Sequence, residues 1–356
     1  MNISRLTRVI AGMKRAGLSC ILVSDPYSVY YLTGRMIWPG ERMLALAVYD
    51  TGDVKLFVNR LFAQQAEEGL PLIEFDDTED CVAVLAEHLP GGRVGVDKKW
   101  PSLFTIRLMD LRPDIRPVLG SMPVDEARML KDADEAEGMR ISSRINDETL
   151  SRLIPTIREG DTELAVGQRY LEIGKGLGAS GASFEPLICF GANGAEPHHG
   201  TDGTVLKEGD MIILDVGLNV NRMMSDMTRT VVLGKATDEQ REVYEIVRAA
   251  NEAGKKAAAP GVPLKEIDAA ARRVIEKAGY GDRFIHRTGH GIGLETHEPP
   301  DVSATSGAIA RPGMIFSVEP GIYLPGKFGV RIEDLVLVTE DGAETLNKLP
   351  RDLIEL

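Results

Sequence analysis

The chain predicts two domains: an α/β domain over residues 1–120, then an α+β domain over residues 121–356 built around a pseudo-twofold repeat. Three observations predict this. A length of 356 residues is more than one core usually fills. The first third alternates amphipathic stretches with short apolar runs, the pattern of an α/β domain. Further on, EGDMIILDVG (208–217) and RPGMIFSVEPG (311–321) share one plan. In each, a glycine opens an apolar strand, a carboxylate follows six residues later, and a second glycine two after that: Gly209, Asp215 and Gly217 in one, Gly313, Glu319 and Gly321 in the other.

Residues 5–16 carry the spacing of an amphipathic helix, and residues 21–23 and 43–49 read as strands. A strand over 54–58, helices over 61–68 and 81–88, and a strand over 93–96 continue the alternation. LRPDIRPVLGSMPVD, rich in Pro and Gly, marks the boundary. The charged stretch that follows reads as a solvated helix. A helix over 162–174 and a strand over 184–190 lead to the first hairpin. Helices over 238–258 and 264–278 separate it from the second, and TDEQ at 237–240 has the form of a capping box for the first of these helices.

A formal charge of −13 argues against a nucleic-acid partner, since phosphate binding relies on clustered Lys and Arg. No apolar run approaches the roughly 20 residues of a membrane span, and the N-terminus lacks the apolar core of a signal peptide. Three scattered cysteines, Cys20, Cys81 and Cys189, suit a reducing compartment, so a cytoplasmic protein is expected.

Each repeated strand turns back into another that carries a second carboxylate, Asp226 in the first and Glu333 in the second. Two such hairpins facing each other would gather four carboxylates. A pair about 4 Å apart repels by roughly 4 kcal/mol at an effective dielectric near 20. Any one of them alone is simply explained by pairing with Arg222, Arg229 or Arg331. The repeated placement makes shared divalent cations the more economical answer. Five of the 6 histidines lie in PHHGT and HRTGHGIGLETHEPP, and glycines flank His290, letting backbone approach whatever it touches. Four carboxylates and one imidazole form a hard donor set, suited to Mn²⁺, Co²⁺ or Fe²⁺. GLGASG (176–181) fits the dinucleotide pattern but follows a helix rather than a strand, so it carries no nucleotide site.

Asp215, Asp226, His290, Glu319 and Glu333, set in LDVG, SDMTRT, TGHGIGLETHE, VEPGIY and RIED, closely resemble the pita-bread metallopeptidases. The resemblance covers almost the whole chain. The N-terminal α/β domain resembles the creatinase-like domain of the prolidase and aminopeptidase P branch. It implies two divalent ions, Mn²⁺ first and Co²⁺, Fe²⁺ or Zn²⁺ as the other candidates, sharing a bridging water or hydroxide. Asp226 and Glu333 would bridge both ions, Asp215 would bind one, and His290 and Glu319 would complete the other. Glu319 would also shuttle a proton. His198, seventeen residues before Asp215, matches a histidine held over the substrate, and His297 one that stabilises the tetrahedral intermediate. Arg331 matches an arginine near the substrate or a bridging ligand, with simple charge balance as its other reading. His286 is expected to support the site and His199 to face elsewhere. Trp38 would help close the site, from the partner subunit of a homodimer.

The resemblance implies cleavage of Xaa-Pro bonds in short peptides with proline at the second position. A strict dipeptidase must recognise its product's free carboxylate through a cation. Asp301 stands where the prolidases often carry that arginine, which favours an Xaa-Pro aminopeptidase over a prolidase. Creatinase shares the architecture without the metal ligands, so creatine hydrolysis is disfavoured. A non-catalytic binding module is the remote alternative, disfavoured because all five ligands are present.

Overall fold

The structure, a computed structural model, describes residues 1–197 and 199–356. It divides into two compact units, Met1–Arg128 and Met129–Leu356, so the break falls eight residues beyond the expected position.

In the first unit α1 (Ile3–Ala16) is capped by the Asn2 side chain, which accepts from Arg5 N at 3.1 Å, and it ends at Gly17 in the left-handed region with φ 63°. There follow β1 (Cys20–Val23), α2 (Pro26–Thr33), β2 (Ala45–Tyr49), β3 (Val54–Asn59), β4 (Leu72–Phe75), α3 (Cys81–Ala86), β5 (Gly92–Val96), α4 (Ser102–Leu111), β6 (Ile115–Leu119) and α5 (Met122–Met129). The six strands form one mixed sheet in the order β4-β3-β2-β1-β5-β6. The fully buried β1 pairs antiparallel to β2 and parallel to β5, as its unbroken apolar run requires.

Two expectations fail here. Residues 61–68 are not a helix: a 3₁₀ turn over Arg60–Phe62 is followed by a Glu67–Leu70 bridge. The Pro-rich stretch read as a boundary contains β6, which tolerates Pro117 because it lies at the sheet edge. Trp38 is 60% exposed, edge-on to Tyr27 at 5.5 Å, on the surface of this unit.

The second unit begins with α6 (Ala133–Leu153), whose N-terminus carries an Asp132/Glu135 capping box. This helix is not simply solvated. Its inner face carries polar groups into the core, where Ser142 Oγ lies 3.0 Å from the carbonyls of Leu218 and Met223 and Asn146 Nδ2 donates to Val216 O at 3.0 Å. Next come α7 (Glu163–Gly176), β7 (Gly181–Ala182), β8 (Leu187–Phe190), β9 (Met211–Val216), β10 (Leu218–Val220), β11 (Met223–Met224) and β12 (Met227–Val232). After α8 (Asp238–Ala257) and α9 (Leu264–Lys277) the chain closes with β13 (Gly289–Gly291), β14 (Glu298–Val302), β15 (Ile315–Val318), β16 (Gly321–Leu324), β17 (Phe328–Arg331), β18 (Asp334–Val338) and β19 (Ala343–Thr345). No helix among the described residues is long and apolar enough to cross a membrane.

The repeat is visible as two antiparallel hairpins. β9 pairs with β12, setting Asp215 opposite Thr228, and β15 pairs with β18, setting Val318 opposite Asp334. They are joined directly: Glu333 N donates to Thr228 O at 3.1 Å and Thr230 Oγ1 to Arg331 O at 2.8 Å. α8 buries Val243, Tyr244 and Val247 with Ile322, Val330 and Ile332, at about 1.5–3 kcal/mol for each large apolar side chain. The same cluster takes in Met211 of β9 and Val232 of β12, so α8 packs across both the first hairpin and the β16–β17 pair.

Candidate metal centre

Four strand ends deliver the carboxylates. Asp215 lies near the end of β9, Asp226 one residue before β12, Glu319 one residue after β15, and Glu333 between β17 and β18. Gly289 gives His290 its place, since a Cβ at residue 289 would run into the Ser317 carbonyl. Asp226, His290 and Glu333 are 3%, 4% and 1% exposed, and each offers a donor atom within 4.8 Å of the others. His290 Nε2 stands 3.4 Å from Glu319 Oε1 and 3.6 Å from Asp226 Oδ2.

The side chains are already turned for a cation. His290 Nδ1 lies 3.1 Å from the Gly291 carbonyl, which can only accept, so Nδ1 carries the proton and Nε2 presents its lone pair to the carboxylates. Ser317 Oγ donates to Glu319 Oε1 at 3.0 Å and Thr228 Oγ1 to Glu333 Oε2 at 2.7 Å. Asp226 Oδ1 and Glu333 Oε1 are buried with no hydrogen-bond partner among the described residues. Orphaned carboxylate oxygens beside a free imidazole lone pair fit a divalent ion.

The electrostatics agree. Burial, then Asp215 and Glu319, push Asp226 well above the usual carboxylate range; burial, then Asp226 and Glu319, do the same to Glu333. Burial raises Glu319 to about 7, and burial together with His297 lowers His290 to about 3. By themselves these groups favour protonated carboxyls and a neutral imidazole, and a cation in their midst reverses the preference for the carboxyls.

Arg331 is buried with Asp215: Nη2 donates to Asp215 Oδ2 at 2.5 Å and Nη1 to the Tyr323 hydroxyl at 2.9 Å. It balances a carboxylate and also lines the cleft. His286 Nε2 lies 2.8 Å from that hydroxyl and its Nδ1 2.7 Å from Arg287 O, so His286 braces Tyr323. Arg229, by contrast, points away, to Asp334 at 2.8 Å.

These residues surround a cleft of about 400 Å³, lined also by Phe184, Leu187 and Pro197. His297 is exposed on it, its ring 4.2 Å from that of His290. His198 lies outside the described residues. His199 turns to Glu163, with Nε2 3.0 Å from Oε2. Glu163, His199 and Asp202 form a second trio of donors, but Glu163 is already engaged by Phe190 N at 2.8 Å, Asn193 Nδ2 at 2.9 Å and Asp202 N at 3.0 Å. That trio ties a loop to α7. Missing from the sequence reading are Tyr323, Thr228, Ser317 and Arg287, which also lines the cleft. Thr228 and Ser317, each two residues from a candidate donor carboxylate on an alternating strand, carried a signal in their spacing.

Two related hairpins closing on a buried carboxylate–imidazole cluster mark a metallopeptidase of the pita-bread fold. More narrowly, residues 137–340 match Metallopeptidase family M24 and residues 5–130 the Creatinase/Prolidase N-terminal domain, so the chain belongs to family M24. It is 35% identical over 359 residues to the probable dipeptidase PepE of Mycobacterium tuberculosis, covering 98% of this chain and 95% of that one. It is 32% identical over 356 residues to the Xaa-Pro dipeptidase of Pyrococcus furiosus, covering 98% and 99%. Among solved structures, recombinant prolidase from Thermococcus sibiricus is 34% identical with a TM-score of 0.93, covering 100% of both chains. Membership of a metallopeptidase family implies divalent metal, in agreement with the donor set found here.

Proposed function

We propose that this metallopeptidase is an Xaa-Pro dipeptidase. The observation that carries the hydrolytic reading is the meeting of Asp226, His290 and Glu333 within 4.8 Å, with two buried carboxylate oxygens unpartnered. The dipeptidase reading replaces the aminopeptidase expected from Asp301. That expectation treated Asp301 as an acid in place of a cation, whereas Asp301 is ion-paired to Arg287, a cation on the cleft wall. The full-length relatives named as dipeptidases, one of them Xaa-Pro dipeptidase, support the same reading.

Asp215, Asp226, His290, Glu319 and Glu333 would hold two divalent ions, with Mn²⁺ favoured by the hard donor set. When bound, such ions supply a Lewis acid for the scissile carbonyl and lower the pKa of water. Glu319 Oε1 is tied to Ser317 and Oε2 has no protein hydrogen bond among the described residues, so Oε2 takes the proton of the attacking water and passes it to the proline nitrogen. His297 faces the cleft, the pKa of its imidazole lowered from its ordinary value by partial desolvation of the ring and then by the Arg287 charge, and donates an N–H to the carbonyl oxygen as charge develops there. Phe184, Leu187 and Pro197 offer an apolar wall to the pyrrolidine ring.

The test is hydrolysis of Ala-Pro and Ala-Pro-Ala side by side, with Mn²⁺ or with chelator. Chelator-sensitive cleavage of Ala-Pro in clear preference to Ala-Pro-Ala is expected. Preference for the tripeptide would restore the aminopeptidase reading.

A further inference from the structure

We infer that Arg287 is the residue that reads the substrate's C-terminal carboxylate, and that Asp301 holds its guanidinium in place to do so. This rests on the dipeptidase reading and names the group that would enforce it. A dipeptide's terminal carboxylate belongs to the residue just after the scissile bond, and neighbouring Cα atoms are only about 3.8 Å apart. The recognising cation must therefore stand in the cleft itself. Among the described residues two arginines line it, Arg287 and Arg331. Arg331 is 3% exposed and taken up by Asp215 at 2.5 Å and Tyr323 at 2.9 Å.

Arg287 differs on each count. Its side chain is 38% exposed, and Nη1 meets Asp301 Oδ1. No other protein group is hydrogen-bonded to its guanidinium among the described residues, so Nη2 and Nε remain for a ligand. It lines the same cleft as His290, His297 and Glu319, the groups around the reacting bond. The loop beneath it is held on both sides. His286 Nδ1 binds the Arg287 carbonyl at 2.7 Å, while Thr288 Oγ1 donates to Asp268 Oδ1 at 2.7 Å and Thr288 O accepts from Glu319 N at 2.8 Å. Asp301 sits on β14 opposite His290 on β13, and its side chain is 58% exposed. An ion pair this open adds little to folding. Its use lies in orienting a guanidinium fork, which then accepts a second carboxylate.

The measurement is kcat/KM of the Mn²⁺-loaded full chain for Ala-Pro and for Ala-Pro amide, which differ only in the terminal charge. The wild type should prefer the free acid by about 10- to 100-fold, mainly through KM, as expected of a charged hydrogen bond. Arg287→Gln should bring the ratio close to one, and Arg287→Lys should keep part of it, having the charge without the fork. A ratio in Arg287→Gln equal to that of the wild type overturns the assignment and leaves the dipeptidase reading standing. If Arg287→Gln does not fold, an unchanged ratio in Arg287→Lys overturns it equally. A wild type that cleaves acid and amide alike, and Ala-Pro-Ala as well, overturns the dipeptidase reading and this assignment with it.

Discussion

Thr228 and Glu333 bind each other twice: Glu333 N donates to Thr228 O at 3.1 Å, and Thr228 Oγ1 donates to Glu333 Oε2 at 2.7 Å. One residue lies on a strand of the first hairpin and the other just before a strand of the second. The same pair therefore joins the repeats and fixes one oxygen of a carboxylate in the donor cluster, leaving Glu333 Oε1 buried without a partner among the described residues.

Thr228→Val keeps the shape of that side chain and removes its donor. The chain should fold with a loss of about 1–3 kcal/mol, the cost of a buried acceptor left unmade. Mn²⁺ affinity should fall about 10- to 100-fold, as for other groups that support a metal ligand. Titration calorimetry alongside thermal unfolding separates the two effects. Wild-type affinity in a folded variant would show that Glu333 needs no such support.

Glu319→Gln keeps the size of the side chain but cannot carry the proton. Turnover of Ala-Pro should drop by about 10²–10⁴-fold in a protein of native thermal stability. Near-normal turnover with saturating Mn²⁺ would remove Glu319 from proton transfer.

The pH dependence of the metal-free chain follows from the raised carboxyls. Asp226 and Glu333 are held well above the usual range and Glu319 at about 7. A carboxyl raised in the folded state binds its proton more tightly there than when unfolded. Its destabilisation is absent below the unfolded value, near 4, and grows as pH rises towards the folded value. Bound Mn²⁺ relieves it. The gap in Tm between Mn²⁺-loaded and chelated protein should therefore widen from pH 5 to pH 8. A gap that narrows over that range would mean that these carboxyls are not the ones the metal meets.

Asp334, next to Glu333 in sequence, does a different job. Burial alone would raise it, but Arg229, Lys255 and Arg351 outweigh burial and hold it well below the usual carboxylate range. Its oxygens take Arg229 at 2.8 Å, Lys255 at 2.9 Å and Arg351 at 2.5 Å. Asp334→Asn leaves three cations without their anion and should cost about 3–5 kcal/mol, read by denaturant unfolding. A loss under about 1 kcal/mol would show that water compensates the cations.

The candidate donors were legible because each sits in a short local motif at a strand end, and the spacing of Gly209, Asp215 and Gly217 recurs at Gly313, Glu319 and Gly321. Period and capping likewise placed α8, where Thr237 and Gln240 form the expected box. Local pattern misled over residues 61–68, where apolar spacing suggested a helix and the chain makes a 3₁₀ turn and a bridge.

What the sequence by itself determined, then, is the pair of domains, the hairpin repeat and the set of donors. All of these depend on residues near one another in the chain. Only the tertiary structure decided that α6 turns Ser142 and Asn146 inward, that Arg331 is spent on Asp215, and that Asp301 faces Arg287. In each case the partner lies far along the chain or across a ladder, and a charge shows its meaning only once the group opposite it is known.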